Sequence, residues 1–128
     1  MSTPCPFCNL PRDRVLFENE LAIAFRDGFP VSKGHTLVIP KRHVDSFFDT
    51  TPEEQAAVLQ LVGKARVDLD SRYHPAGYNI GINDGTAAGQ TVMHMHLHLI
   101  PRYEGDRADP RGGVRWVLSN KAAYWDKD

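Results

Sequence analysis

Apolar and polar positions alternate with two different periods along this chain of 128 residues, and the change of period marks its elements. Residues 15–17, 21–26 and 36–40 are short apolar runs that read as strands. They are separated by Glu18-Asn19-Glu20 and by Gly28-Phe29-Pro30, and the first gap suggests a hairpin. The period then lengthens. Thr51-Pro52-Glu53-Glu54 places a Thr N-cap, a Pro at the first helical position and a Glu at the third. Val58, Leu61, Val62, Ala65 and Leu69 follow on one face, which predicts a single amphipathic helix to about Arg72, closed by His74-Pro75-Ala76-Gly77. Residues 78–83 alternate as a further strand, 84–89 form a small-residue loop, and 93–100 predict a last strand ended by Pro101. This order describes an α+β domain with a mostly antiparallel sheet. Beyond Arg102 the chain is charged and Gly-rich through Gly113, and a short apolar piece follows at 115–118; a single domain is expected over 1–128.

Composition narrows the class. The hydrophobic fraction of 41% and charged fraction of 24% are those of an ordinary soluble globular domain. A net charge of −1 gives no support to nucleic-acid or membrane binding. No apolar stretch approaches the roughly 18 residues of a membrane span. Met1-Ser2-Thr3-Pro4 has neither a basic nor an apolar leader segment, so a cytoplasmic location is expected. The two cysteines, in Cys5-Pro6-Phe7-Cys8, read as a metal half-site or a redox pair ahead of a structural disulfide.

Chemistry concentrates in Met93-His94-Met95-His96-Leu97-His98-Leu99-Ile100, which holds three of the six histidines. Side chains two apart on a strand share a face, so the three imidazoles are expected to project together at roughly 7 Å per step while Met95, Leu97 and Leu99 face the core. By spacing alone such a row suits either a metal site or nucleophilic catalysis by imidazole. The context favours the second. No Asp or Glu lies between Asp84 and Glu104 to complete a hydrolytic metal site. The preceding loop offers Gly85 and Gly89 for close backbone approach, and Gln90 and Thr91 as neutral donors suited to a phosphate whose charge grows in the transition state.

The run His94-Met95-His96-Leu97-His98-Leu99-Ile100, with 34–43 (Gly-His-Thr-Leu-Val-Ile-Pro-Lys-Arg-His) and Gly89-Gln90-Thr91, resembles the histidine triad (HIT) superfamily of nucleotide hydrolases and transferases. The resemblance spans Cys5 to about Arg102. It implies a five-stranded, mostly antiparallel sheet with one long and one short helix, and a homodimer in which two sheets join into one of ten strands. It implies that His96 attacks the α-phosphorus of a purine nucleotide, giving a nucleotidyl-histidine that water hydrolyses without any metal. The nucleophilic nitrogen must be unprotonated, which requires an acceptor for the other ring proton, expected to be a backbone carbonyl of the triad strand. His98 would contact the phosphate, His35 would sit near His98, and Thr91 would lie near the leaving group. Gln90 and Gly89 would bind phosphate, Asn83 would orient the site, Asp27 would accept from the ribose, and Phe7, Leu10 and Phe25 would line the base pocket.

The resemblance also gives the cysteines partners, since some members, including bacterial HIT proteins and galactose-1-phosphate uridylyltransferases, have a Cys/Cys/His/His zinc. Here that set would be Cys5, Cys8, His43 and His94, holding a structural zinc that ties the N-terminal segment to the sheet. Asp27 and Asn83 are similar to the Hint-type phosphoramidases, which lack the cysteines, whereas the Gly-Gln-Thr and Pro-Arg surroundings are similar to the Fhit-type dinucleoside polyphosphate hydrolases. Both substrate classes stay open. A nucleotide-binding regulatory module with little turnover is the alternative.

Overall fold

The computed structural model describes residues 4–125; residues 1–3 and 126–128, the ends of the expected domain, lie outside the described residues. Five strands form one sheet: β1 (Val15–Glu18), β2 (Ala22–Arg26), β3 (Thr36–Pro40), β4 (Gly77–Ile82) and β5 (Leu97–Arg102), in the order β1-β2-β3-β5-β4. Every pairing is antiparallel. The β1–β2 hairpin turns on Asn19, whose Oδ1 accepts from the Leu21 and Ala22 amides at 3.1 and 2.8 Å. The long helix α1 (Pro52–Tyr73) joins β3 to β4. Its start is the capping box expected from Thr51 and Glu54, and it ends with His74 in the left-handed region at φ 52°. Its stripe of Val58, Leu61, Ala65 and Leu69 packs on Ala22, Ala24, Val38, Leu97 and Leu99 of the sheet. This covers one face of the sheet.

The other face is built around Phe25, Leu37 and Ile39, with Phe7, Leu10 and Ile23 packed against them. Leu37 pairs directly with His98, so His98 projects on this second face, away from α1. The helix thus acts as scaffold for one face and leaves the other for chemistry.

The last strand differs from the expected 93–100. It begins at Leu97 and runs through Pro101 to Arg102. Its pairing with β3 ends at Val38 and Leu97, and further back the chain is held by other groups: the Met95 amide donates to the Val44 carbonyl at 2.7 Å, and the His94 ring to the Pro40 carbonyl at 2.8 Å. His94 and His96 therefore precede the ladder. Pro101 is tolerated inside β5 because its nitrogen points to the side where β3 has not yet begun, Thr36 pairing with Leu99; its carbonyl there accepts from Ser32 Oγ at 2.7 Å.

The turn into β3 needs glycine at position 34. Gly34 has φ 92°, and a Cβ there would lie 2.6 Å from Leu69 Cδ2 and 3.0 Å from Tyr73 Cδ2. Gly34→Ala is expected to lower stability by about 3 kcal/mol, read as a drop in the urea midpoint, because strain and overpacking add at one site. An unchanged midpoint would show that this turn can shift off the helix.

After β5 the basic and aromatic tail folds upon itself. Arg107 lies over Trp116 (4.3 Å), Arg111 over Trp125 (4.6 Å) and Arg115 over Tyr124 (4.7 Å). A 3-10 run over Gly113–Leu118 leads into the one-turn helix α2 (Ser119–Ala122). No helix among the described residues is long and apolar enough to cross a membrane.

Candidate active site and metal centre

Three histidines of the second face are organised by single hydrogen bonds that fix their tautomers. The His96 Nδ1 lies 2.8 Å from the His94 carbonyl, which can only accept, so in the neutral ring the proton sits on Nδ1 and Nε2 keeps its lone pair. The expected backbone acceptor is present. The Val31 amide donates to His35 Nδ1 at 3.1 Å, which places the His35 proton on Nε2. That proton reaches His98 Nδ1 at 2.9 Å, so His98 carries its own on Nε2. His98 Nε2 is buried with no hydrogen-bond partner among the described residues. The pair thus presents one lone pair, on His96, and one donor, on His98, with ring centroids 5.1 Å apart.

Burial keeps the relay neutral. Desolvation, then the neighbouring His96 and His35, push the His98 pKa down to about 4 against the pull of Asp27, and desolvation likewise lowers that of His35. Both groups bind protons more readily when unfolded, so their stabilising contribution is whole above about pH 6.5 and is lost as pH falls toward 4. Stability should decline by about 2 kcal/mol across that window. His98→Asn should flatten the decline in denaturant titrations at stepped pH; an equally steep decline in the variant would reject the assignment.

The His96 and His98 rings open on a cleft of about 430 Å³ whose walls also include Phe7, Phe25, Asp27, Asn83, Gly89 and Thr91, with His35 behind His98. Phe7 stands edge-on to Phe25 at 5.4 Å and to His96 at 5.2 Å, joining an apolar end to the histidines. Asp27 lies between, with Oδ1 accepting from the Phe29 amide at 2.8 Å and Oδ2 3.5 Å from His35 Nε2. Gly89 holds φ 98° at the turn before Thr91. Two expectations require correction. Gln90 does not face the cleft: it is 5% exposed, accepts from the Gly85 amide at 2.8 Å, and donates to the Asp45 and Val92 carbonyls, so it braces the loop instead. Leu10 packs into the Phe25 cluster and is not among the cleft walls. Arg14, Phe29 and Val92 also line the cleft, and no sequence pattern marks them.

The cysteine segment approaches from the far side of His94. Cys5 Sγ and Cys8 Sγ each lie 3.5 Å from His94 Nδ1, and Cys8 Sγ lies 3.2 Å from His43 Nδ1. Tetrahedral zinc with sulfur and nitrogen ligands requires such separations to be roughly 3.5 Å. The four donor atoms fall within 4.8 Å of one another. Both imidazoles are held for the role, since His94 Nε2 donates to the Pro40 carbonyl and His43 Nε2 faces Asp45 at 3.3 Å, leaving each Nδ1 lone pair toward the thiols. Burial and the neighbouring Cys5 push the Cys8 thiol up, so a metal would displace its proton on binding. The residues fit zinc. The triad has thereby divided: His94 turns to the cysteines while His96 and His98 share the cleft.

A domain built this way, with a histidine pair on the open face of a five-stranded sheet, is shared with known proteins. The HIT domain family profile matches residues 11–105, and the chain belongs to that family. It is 44% identical over 104 residues to a 16.1 kDa HIT-like protein of Mycoplasma pneumoniae, covering 78% of this chain and 72% of that one. It is 40% identical over 93 residues to the asymmetrical bis(5'-nucleosyl)-tetraphosphatase of Schizosaccharomyces pombe, covering 73% of this chain and 51% of that one. Among solved structures, a Zn-bound histidine triad family protein from Mycobacterium smegmatis superimposes with a TM-score of 0.73 at 40% identity, covering 82% of this chain and 79% of that one.

Proposed function

We propose that this HIT protein is a nucleotide hydrolase that cleaves at the α-phosphorus of a nucleoside phosphoramidate or dinucleoside polyphosphate through a nucleotidyl-histidine on His96. The observation that carries the reading is the His96 Nδ1–H···O=C bond to His94, which leaves an unprotonated Nε2 in a residue lining the cleft. Imidazole is both nucleophile and leaving group, so one difficult displacement becomes two easier ones. In the first, the Nε2 lone pair bonds phosphorus and the bond to the leaving group breaks, its electrons staying with that group. In the second, water attacks the same phosphorus and the P–N bond to His96 breaks, releasing a nucleoside monophosphate and returning the ring to its starting tautomer.

The remaining residues position the substrate. His98 Nε2–H donates to a phosphate oxygen, with His35 orienting it, and Thr91 donates near the departing atom. Asp27 accepts from the ribose hydroxyls, Asn83 and the Gly89 turn border the phosphate, and a purine lies against Phe7 and Phe25. The Cys5, Cys8, His43 and His94 set holds a structural zinc that ties the N-terminal segment, with Phe7, to the sheet; it takes no part in the two displacements. Two copies join along β4, an edge strand whose Ile80 is 50% exposed. Acid-free quenching during turnover of a radiolabelled nucleotide tests the reading: label should attach to the protein, be acid-labile and map to His96. Turnover with label on another residue, or with none trapped, contradicts it, and tight binding with negligible turnover points to the regulatory alternative.

A further inference from the structure

Arg14 is the one Lys or Arg among the described walls of the nucleotide cleft, and it stands away from the phosphate end. We propose that Arg14 reads the nucleobase: its guanidinium donates to O6 and N7 of a guanine, so the protein selects guanine over adenine nucleotides. The inference rests on a nucleotide seated with its base against Phe7 and Phe25.

Placement is the first argument. Arg14 immediately precedes β1, whose Val15 pairs with Phe25 of β2. Its side chain reaches across that neighbouring strand. Cζ stands over the Phe25 ring, 5.3 Å from the centroid, and Nη2 donates to the Arg26 carbonyl at 2.7 Å. A Cβ at position 28, where the chain has glycine, would lie 3.7 Å from the same Nη2. The guanidinium thus covers the cleft wall that residue 28 leaves bare, and the ring and the carbonyl hold it there at two points. Phe7 joins Phe25 on one side to His96 on the other, so the Phe25 side is the end remote from phosphorus. Arg14 stands at that end. Because its guanidinium already covers one side of the Phe25 ring, a base seated against Phe7 meets it at the edge and does not stack beneath it.

Charge is the second. No carboxylate pairs with Arg14 among the described residues. Glu18 is taken by Arg12 and Lys41, while Asp27 faces the Phe29 amide and the His35 ring. A guanidinium carries five N–H donors in a planar fork, and one bond to a carbonyl leaves enough of them for a second, bidentate partner.

The third is the chemistry of the two purine edges. Guanine presents adjacent acceptors, O6 and N7, whereas adenine presents the N7 acceptor beside the N6 amino donor. Arginine has donors only. Against it adenine sets N–H to N–H and forfeits one of the two bonds, while guanine makes both. At a wall open to water the discrimination should be about tenfold, near the low end for a bidentate pair.

Calorimetric titration of the full-length protein with GMP, IMP, AMP and 7-deaza-GMP reads that edge without needing turnover. GMP and IMP share O6 and N7 and should bind about tenfold tighter than AMP, while 7-deaza-GMP, which lacks N7, should fall toward AMP. Arg14→Gln should turn the preference toward adenine, because a side-chain amide matches N6 and N7. Arg14→Lys keeps the charge without the fork and should lose most of the ratio. Melting temperatures of the two variants separate a specificity change from a folding loss. The kcat/KM values for guanosine and adenosine 5'-phosphoramidates should differ by the same tenfold, carried by KM. Equal affinity for GMP and AMP, a ratio unmoved by Arg14→Gln, or a ratio fully kept by Arg14→Lys overturns the proposal. Label on His96 with equal affinities leaves the nucleotidyl reading standing and removes only this inference. Guanine preference in binding with no label on His96 does the reverse.

Discussion

A His96→Gly protein should lose turnover by about four orders of magnitude while still binding nucleoside monophosphate, the scale expected when an attacking group is deleted and its binding site is kept. The separation between the two losses follows from the geometry. His96 contributes its Nε2 to the reaction, whereas the cleft is walled independently by Phe25, Asp27, Asn83 and Gly89. The Phe7 ring packs on Phe25 as well as on His96, so the apolar end has support that survives the deletion. His96→Asn provides the folding control, since it retains a polar side chain near the His94 carbonyl without an imidazole. Calorimetric titration with AMP and single-turnover kinetics on both variants make the comparison. Activity within tenfold of the parent in either variant would remove His96 from the reaction, and equal loss of binding and turnover would recast it as a structural group.

Much of this architecture is local and therefore readable. The capping box of Thr51 and Glu54, the spacing of Val58, Leu61, Ala65 and Leu69, and the Asn19 turn are each set by residues within a few positions of one another. The register of the histidine strand was not readable, because its start depends on where β3 stops pairing and on a bond from the His94 ring to Pro40 far away in the chain. Gln90 misled for a related reason. A Gly-Gln-Thr loop offers a side-chain amide, but whether that amide faces ligand or folds back on Gly85, Asp45 and Val92 is decided by tertiary packing. The relay beginning at the Val31 amide left no signal at all, since a backbone donor has no residue signature. The tail was opaque in the same way: it read only as charged and Gly-rich with a short apolar piece after it, while in the fold its arginines stack on its own aromatics.

Removing zinc should lower the melting temperature by about 10 °C and raise KM more than it lowers kcat. The stability term arises because Cys5 and Cys8 reach the body of the protein through His43 and His94, so that without the metal the N-terminal segment is held by weak thiol contacts and the packing of Phe7. A loss of about 3 kcal/mol in a domain of this size corresponds to a shift of that order. The kinetic split follows from the position of His94. Its ring remains bonded to the Pro40 carbonyl at 2.8 Å whether or not a metal sits on Nδ1, so the His94 carbonyl stays in place to hold the His96 tautomer. Phe7, by contrast, lies between the two cysteines in sequence and forms a cleft wall, so loosening the segment weakens nucleotide contact first, by about tenfold for the loss of one aromatic surface. Cys8→Ser should reproduce both effects without chelator. Metal analysis of protein purified without added zinc, scanning calorimetry with and without a strong chelator, and steady-state kinetics on each form carry the test. Substoichiometric zinc with an unchanged melting temperature would show that the four donors meet without a metal, and a kcat loss larger than the KM change would show that zinc, not Pro40, fixes His94.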